Sequence, residues 1–258
     1  MEKITSKNNN YIKKTAKLFT SSSARKKNRE FVLEGVRLCF DVINSDVNLK
    51  ELYITEECYC KNKEKSDKLI NISQKSFFID KECADKLANT VNSQGVFCVC
   101  EMLDTDSKLD YSKKYIALEN LQDPSNLGAV VRTAEALGID GIILSGCVDI
   151  YNPKSLRASM GSMLRMNIIF ADDLIYLLEN CKNNKMQILA TVPDSSVQDI
   201  VDIDMNGGVI AVIGNEGNGL SDAVKSAATS LVTIKMSGRT ESLNAGVAAS
   251  ITMWEMKR

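Results

Sequence analysis

The stretch YIALENLQDPSNLGAVVRTAEALGIDGIILSG, residues 115–146, holds one complete unit of an alternating design. YIALEN is an apolar run of strand length, and GIILSG is a second one. Between them NLGAVVRTAEALG places Leu127, Val130, Val131, Ala134 and Leu137 on one helical face. A strand, an amphipathic helix and another strand in about thirty residues make a parallel crossover unit. Pro124 is expected to end the strand, Asn126 to cap the helix and Gly138 to close it. Arg132 lies off the buried stripe, where it can meet a phosphate or Glu135.

Downstream the alternation continues to the end of the chain. Helical SLRASMGSMLRM, strand NIIFA, helical DLIYLLENCKNN, strands MQILATV and VIAVIG, helical SDAVKSAATS, strand LVTIKM and helical SLNAGVAASITMWEMK follow in turn. The expected fold class is α/β, with a mostly parallel sheet covered on both faces. Ligands on such sheets collect beyond the carboxyl ends of the strands. In the last helix Leu243, Val247, Ile251 and Trp254 are expected to face the core, and Ser242 or Leu243 to start it.

Upstream, EFVLEGVRLCFDVI, LKELYIT, SFFID, KECADKLANTV and GVFCVC read as short strands and helices of a smaller α/β unit ending near Cys100. The polar EMLDTDSKLDYSKK separates the two. The expected domains are therefore residues 1–100, a linker at 101–114, and residues 115–258.

Charge is unevenly placed. Residues 1–37 carry ten Lys or Arg against three Glu, leaving −8 on the remainder of a chain whose net charge is −1. A basic arm on an acidic body points to a polyanionic partner such as RNA, although such a run also serves as a solvated helix face. No apolar run approaches the length that crosses a bilayer, and MEKITSKNNN lacks the apolar region of a secretion signal, so a cytoplasmic protein is expected.

Eight cysteines invite a reading as disulfides or zinc ligands, but no CxxC spacing occurs and the chain has no histidine. Reduced thiols filling small apolar gaps are expected, with no metal. The same absence of histidine excludes Ser-His-Asp and Cys-His chemistry within one chain. Any catalysis must use carboxylates, Arg, Lys, Ser, Asn or the reactivity of a cofactor.

Three further segments can carry chemistry. NPKSLRASMGSMLRM sets Lys154, Arg157 and Arg165 beside small residues that allow a backbone to come close; a tight helix crossing would explain them equally well. VIAVIGNEGNGLSD, 209–222, runs an apolar strand into a Gly-rich turn and a helix. Its spacing imitates a phosphate-binding P-loop, yet Leu220 stands where Lys is required and Glu216 would repel a triphosphate, which excludes an NTPase. Finally, LVTIKMSGRTESLNAGVAASI puts Ser242 and Asn244 at the start of the terminal helix, an arrangement that also suits a plain helix cap.

Taken together and in order, NLGAVVRTAEALG, NPKSLRASMGS, IGNEGNGLS and IKMSGRTESLNAGVAASI resemble the SpoU (TrmH-like) family of RNA ribose 2'-O-methyltransferases, within the SPOUT superfamily. The likeness covers residues 115–258. KKNREFVLEGVRL and SQGVFCVC resemble the family's L30e-like RNA-binding extension. The resemblance implies a C-terminal trefoil knot, with the terminal segment threaded through a preceding loop, and S-adenosylmethionine as cofactor.

It further implies cofactor contacts at Thr191, Val192, Pro193, Gly214, Asn215, Gly217, Ile234, Met236 and Leu243. Asn126, Arg132, Glu216, Ser242 and Asn244 match the family's polar catalytic signature. Lys13, Lys14, Arg25, Lys26, Lys27, Arg29 and Arg157 are the expected RNA contacts. A homodimer is implied, built on the final helix and the segment around Arg157, with the N-terminal unit presenting RNA to the partner's site. Ribosomal RNA is favoured as substrate over transfer RNA. The alternatives are an RNA-binding protein that kept the fold without catalysis, and a small-molecule or nucleotide enzyme, which the missing P-loop lysine and the lack of GxGxxG disfavour.

Overall fold

Two sheets organise the chain in the computed structural model, which describes residues 1–91, 93–103 and 109–258. The chain divides into two compact units: Met1–Leu103 with Tyr151–Arg165, and Asp104–Ile150 with Met166–Arg258. Residues 151–165, which follow the strand Gly141–Ser145 of the second unit in the chain, group with the first. Residues 104–108 of the expected linker lie outside the described residues.

In the first unit the order is β1 (Glu2–Ile4), α1 (Asn10–Thr20), α2 (Ser22–Asn28), β2 (Glu30–Glu34), α3 (Val36–Asp41) and β3 (Leu49–Ile54). It continues through α4 (Glu56–Lys61), α5 (Lys63–Ile72), β4 (Lys75–Ile79), α6 (Lys81–Leu87) and β5 (Val96–Glu101). The strands lie in the order β1-β4-β3-β5-β2, with β5 antiparallel to both neighbours. Ile12, Leu18 and Phe19 of α1 bury against Tyr53, Phe77 and Phe97.

Folding divides the basic arm into structural and exposed cations. Arg25, expected to contact RNA, is 3% exposed, and its guanidinium donates to the carbonyls of Leu18 at 2.6 Å and Phe19 at 3.2 Å. The last carbonyls of a helix have no partner within it, and a cation there also meets the negative end of the helix dipole. Lys14 is likewise committed, 2.8 Å from Glu30 and 3.6 Å from Glu51, both buried. Burial alone would push the Glu30 carboxyl up, but hydrogen bonds and charge from Lys14 and Lys50 prevail and hold it below the ordinary carboxylate range. Lys13, Lys26, Lys27 and Arg29 are exposed.

The second sheet is built from β6 (Lys114–Glu119), α7 (Pro124–Leu137), β7 (Gly141–Ser145) and, beyond α8 (Pro153–Ser159) of the first unit, β8 (Ile168–Phe170). It goes on through α9 (Leu174–Asn183), β9 (Gln187–Thr191), β10 (Gln198–Asp199), β11 (Val209–Ile213), α10 (Asp222–Ala227), β12 (Ser230–Thr233) and α11 (Ala245–Lys257). Its seven strands run in the order β10-β12-β9-β11-β6-β7-β8, and every pairing is parallel. Ile116, Ala117, Ile142, Ile143, Ile210 and Val212 are fully buried, as strands covered on both faces require.

Three local expectations change. Asp123, not Asn126, caps α7, its carboxylate accepting from Ser125 N at 2.7 Å, and Pro124 opens the helix, where its missing N–H costs nothing. The helix expected over 155–166 stops at Ser159, because Met160 and Gly161 both take left-handed backbone angles, at φ 52° and 93°. On α11 the core face is Ala249, Thr252, Met253 and Met256, whereas Val247 is 47% and Trp254 59% exposed. Small Ala245, Gly246 and Ala249 are buried where α11 packs along α7, and Val247 and Trp254 are turned outward.

Arg25→Ala should lower stability in urea unfolding by about 2 kcal/mol through loss of buried charge-assisted hydrogen bonds, while Lys26→Ala and Lys27→Ala should stay within about 0.5 kcal/mol of the parent.

Candidate active site

Beyond the carboxyl ends of β9, β11 and β12, three loops enclose a cavity of about 490 Å³. All the residues that the family resemblance matched to cofactor contacts line it: Thr191, Val192 and Pro193; Gly214, Asn215 and Gly217; Ile234, Met236 and Leu243. Glu216 and Ser242 line it as well. The location follows from the parallel sheet, since each strand end releases its loop on the same side.

The glycine-rich loop after β11 closes on itself. Asn215 and Gly219 exchange backbone hydrogen bonds at 3.1 and 3.0 Å. The Asn215 side chain accepts from Gly217 N at 2.8 Å and Asn218 N at 3.2 Å, and donates to the carbonyl of Asn120 at 2.8 Å. Its amide therefore shapes the loop. A Cβ on Gly214 would stand 2.2 Å from the Gly219 carbonyl carbon and 2.4 Å from Leu220 N, so only glycine lets the loop fold back this tightly.

Glu216 joins the loop to α7 and α11. Its Oε1 accepts from Asn126 Nδ2 at 3.0 Å and Asp123 N at 3.4 Å, and its Oε2 from Gln122 N at 3.4 Å. Asn126 Oδ1 in turn accepts from Asn244 Nδ2 at 3.2 Å, while Asn244 Oδ1 caps α11 by accepting from Gly246 N and Val247 N at 2.9 and 3.2 Å. Because Asp123 takes the capping role on α7, the Asn126 amide is released for this chain of contacts. Burial pushes the Glu216 carboxyl up, but hydrogen bonds from Asn126, its own backbone and the N–H groups of Gln122 and Asp123 outweigh it and hold the group below its ordinary value.

Arg132 lies six residues beyond Asn126 on α7, exposed and outside the cavity wall. Ionisable Asp194 and Lys225, which no sequence signal singled out, also line the cavity. Arg157 belongs to the first unit and donates to Asn89 Oδ1 at 3.0 Å. All eight cysteines are free, six of them buried. Among the described residues no group of three or more His, Cys, Asp or Glu is placed to hold a metal ion, and no helix is long and apolar enough to cross a membrane.

A sequence model of the SpoU rRNA methylase family matches residues 113–254, and one of the MRM3-like substrate binding domain matches residues 9–98. The chain belongs to the SpoU rRNA methylase family. It is 34% identical to an uncharacterised tRNA/rRNA methyltransferase of Synechocystis over 99% of this chain and 93% of that one. It is 27% identical to RlmP of Bacillus subtilis, a 23S rRNA (guanosine(2553)-2'-O)-methyltransferase, over the full length of both. Among solved structures, the AdoMet-bound rRNA methyltransferase of Sinorhizobium meliloti superposes with a TM-score of 0.88 at 27% identity, covering 99% of this chain and 97% of that one.

The ionised Glu216 carboxylate carries a pH signature. With its folded pKa held below the ordinary 4.5, its stabilising contribution is present above that value and lost as pH falls through the folded pKa. Glu216→Gln should therefore flatten the acid limb of a thermal-stability profile measured between about pH 6 and 3; an unchanged profile would remove Glu216 from this role.

Proposed function

We propose that this chain transfers a methyl group from S-adenosylmethionine to a ribose 2'-hydroxyl of ribosomal RNA. The observation that carries this reading is the cavity: loops after three parallel strands enclose it, and its Glu216 is tied to Asn126 and Asn244 in one hydrogen-bonded chain. The full-length likeness to a ribosomal RNA 2'-O-methyltransferase supports ribosomal over transfer RNA. A cytoplasmic setting follows from that substrate.

The residues present fit the cofactor. Ile234, Met236, Leu243 and Leu231 offer apolar walls to an adenine ring, and the volume lies within the range of small-molecule sites. Gly214, where a Cβ would strike the backbone opposite, keeps the loop compact beside it. The bound cofactor supplies an electrophilic methyl on a sulfonium centre.

The chain's own task is to place and activate the hydroxyl. A neutral alcohol is a poor nucleophile, and its proton must leave as the bond forms. Arg132, exposed and with no side-chain hydrogen bond or ion pair among the described residues, is available to an RNA phosphate. With a pKa above ~12 it is suited to orienting that phosphate and stabilising developing oxyanion charge, and poorly suited to act as a base. Asn126 and Asn244 hold α7, α11 and the Glu216 loop in register, and Ser242 edges the cavity.

In the first unit, Lys13 and Lys17 of α1 and Lys86 of α6 line a second cleft of about 360 Å³ that has no carboxylate in its wall. Lys3, Lys14, Lys50, Lys61 and Lys68 are each within 2.8 Å of a glutamate, whereas these three form no ion pair among the described residues. Here the RNA backbone would be held, with exposed Lys26, Lys27 and Arg29 extending the basic surface. Two copies of the chain would pair through the apolar stripe of Val247, Ile251 and Trp254 on α11, spaced for one helical face.

Methyl-labelled S-adenosylmethionine incubated with ribosomal RNA lacking the modification should leave label in an alkali-resistant dinucleotide. Arg132→Ala should slow transfer by about 100-fold, with Arg132→Lys recovering part of it. Replacing Lys13, Lys17 and Lys86 together by Ala should raise KM for RNA and lower the salt dependence of binding, leaving the affinity for S-adenosylmethionine unchanged. Absence of label from every RNA fraction, with RNA binding intact, would favour a non-catalytic RNA-binding protein.

A further inference from the structure

The cavity wall carries three ionisable side chains, Asp194, Glu216 and Lys225. Two are acids and one is a base. The cofactor of the proposed reaction, on which this inference rests, carries the opposite set: a sulfonium, an ammonium and one carboxylate. Lys225 is thus the single cation among the described wall residues, and the methionine carboxylate is the single anion on the ligand.

The two acids are already held in place. Glu216 accepts from Asn126 and from backbone N–H groups, and Asp194 Oδ1 accepts from Ser196 N at 2.9 Å and Ser196 Oγ at 2.7 Å. Lys225 is held far less firmly. Its Nζ lies 3.1 Å from Asp222 Oδ1, but that side chain is 99% exposed and that of Lys225 37%. An ion pair with a fully solvated partner one turn away contributes little and is readily exchanged for a better-placed anion. The Lys225 stem meanwhile lies on the helix that follows the glycine-rich loop, next to Val224, which is fully buried. Its anchor is therefore rigid while its head is free to change partner.

We propose that Lys225 is the residue that recognises the methionine carboxylate of S-adenosylmethionine, orienting the ligand's tail from α10. It acts as a positioning and specificity residue: it touches the cofactor away from the reacting methyl.

The test pairs a residue with a ligand group, using the full chain and calorimetric titration with S-adenosylmethionine and with its decarboxylated form, which lacks the carboxylate alone. The parent protein should bind S-adenosylmethionine about tenfold more tightly than the decarboxylated compound, and Lys225→Met should abolish that difference by weakening only the former. Lys225→Arg, which keeps the charge, should restore most of it. In methyl transfer the Lys225→Met protein should show a raised KM for S-adenosylmethionine with kcat largely kept. Equal weakening toward both ligands would mean that Lys225 merely supports the wall, and no weakening would mean that it does not meet the ligand; either overturns the proposal. Failure of the parent protein to bind S-adenosylmethionine at all would instead overturn the proposed function, and this inference with it.

Discussion

The carboxylate of Glu216 is the contact on which the arrangement of the site depends. Its oxygens gather donors from Asn126 and from the turn before α7, and Asn126 passes the connection to Asn244 at the start of α11. Three segments, Asn126 lying 90 residues before Glu216 and 118 before Asn244, are thereby fixed to one another beside one cavity. An ionised carboxylate is suited to this because it accepts several hydrogen bonds at once, and those bonds gain strength from charge. The loop that carries it is shaped by its own contacts, through Asn215 and the close approach at Gly214.

A parallel sheet explains why such distant segments meet. All seven strands point the same way, so the loops after β9, β11 and β12 emerge at one edge, and α7 and α11 pack side by side next to them. Small residues of α11 are buried where the two helices meet, and Val247 and Trp254 face outward.

The first unit shows how folding redistributes charge. Of a basic arm that looks uniform in composition, Arg25 is spent on the carbonyls closing α1 and Lys14 on two buried glutamates. Lys13 and Lys17 stay exposed and are joined by Lys86, nearly seventy residues further along, around a cleft free of acids. Counting charges therefore locates a basic region without saying which cations a polyanion can reach.

Periodicity and composition alone determined the α/β class, the parallel second sheet, the Gly138 helix stop and the absence of histidine chemistry, because these depend on local spacing and residue type. Motif likeness added the loops, which line one cavity together with Glu216 and Ser242, while Asn126 and Asn244 are tied to Glu216 by hydrogen bonds and Arg132 stands outside the wall. Tertiary structure decided the rest. Asn126 is released from capping because Asp123 and Pro124 do that work one turn earlier, a competition between neighbouring residues that spacing does not rank. The outward turn of Trp254, the burial of Arg25 and the entry of Lys225 into the cavity wall each depend on what lies opposite a side chain. That neighbour comes from a distant part of the sequence, so only the folded chain supplies it.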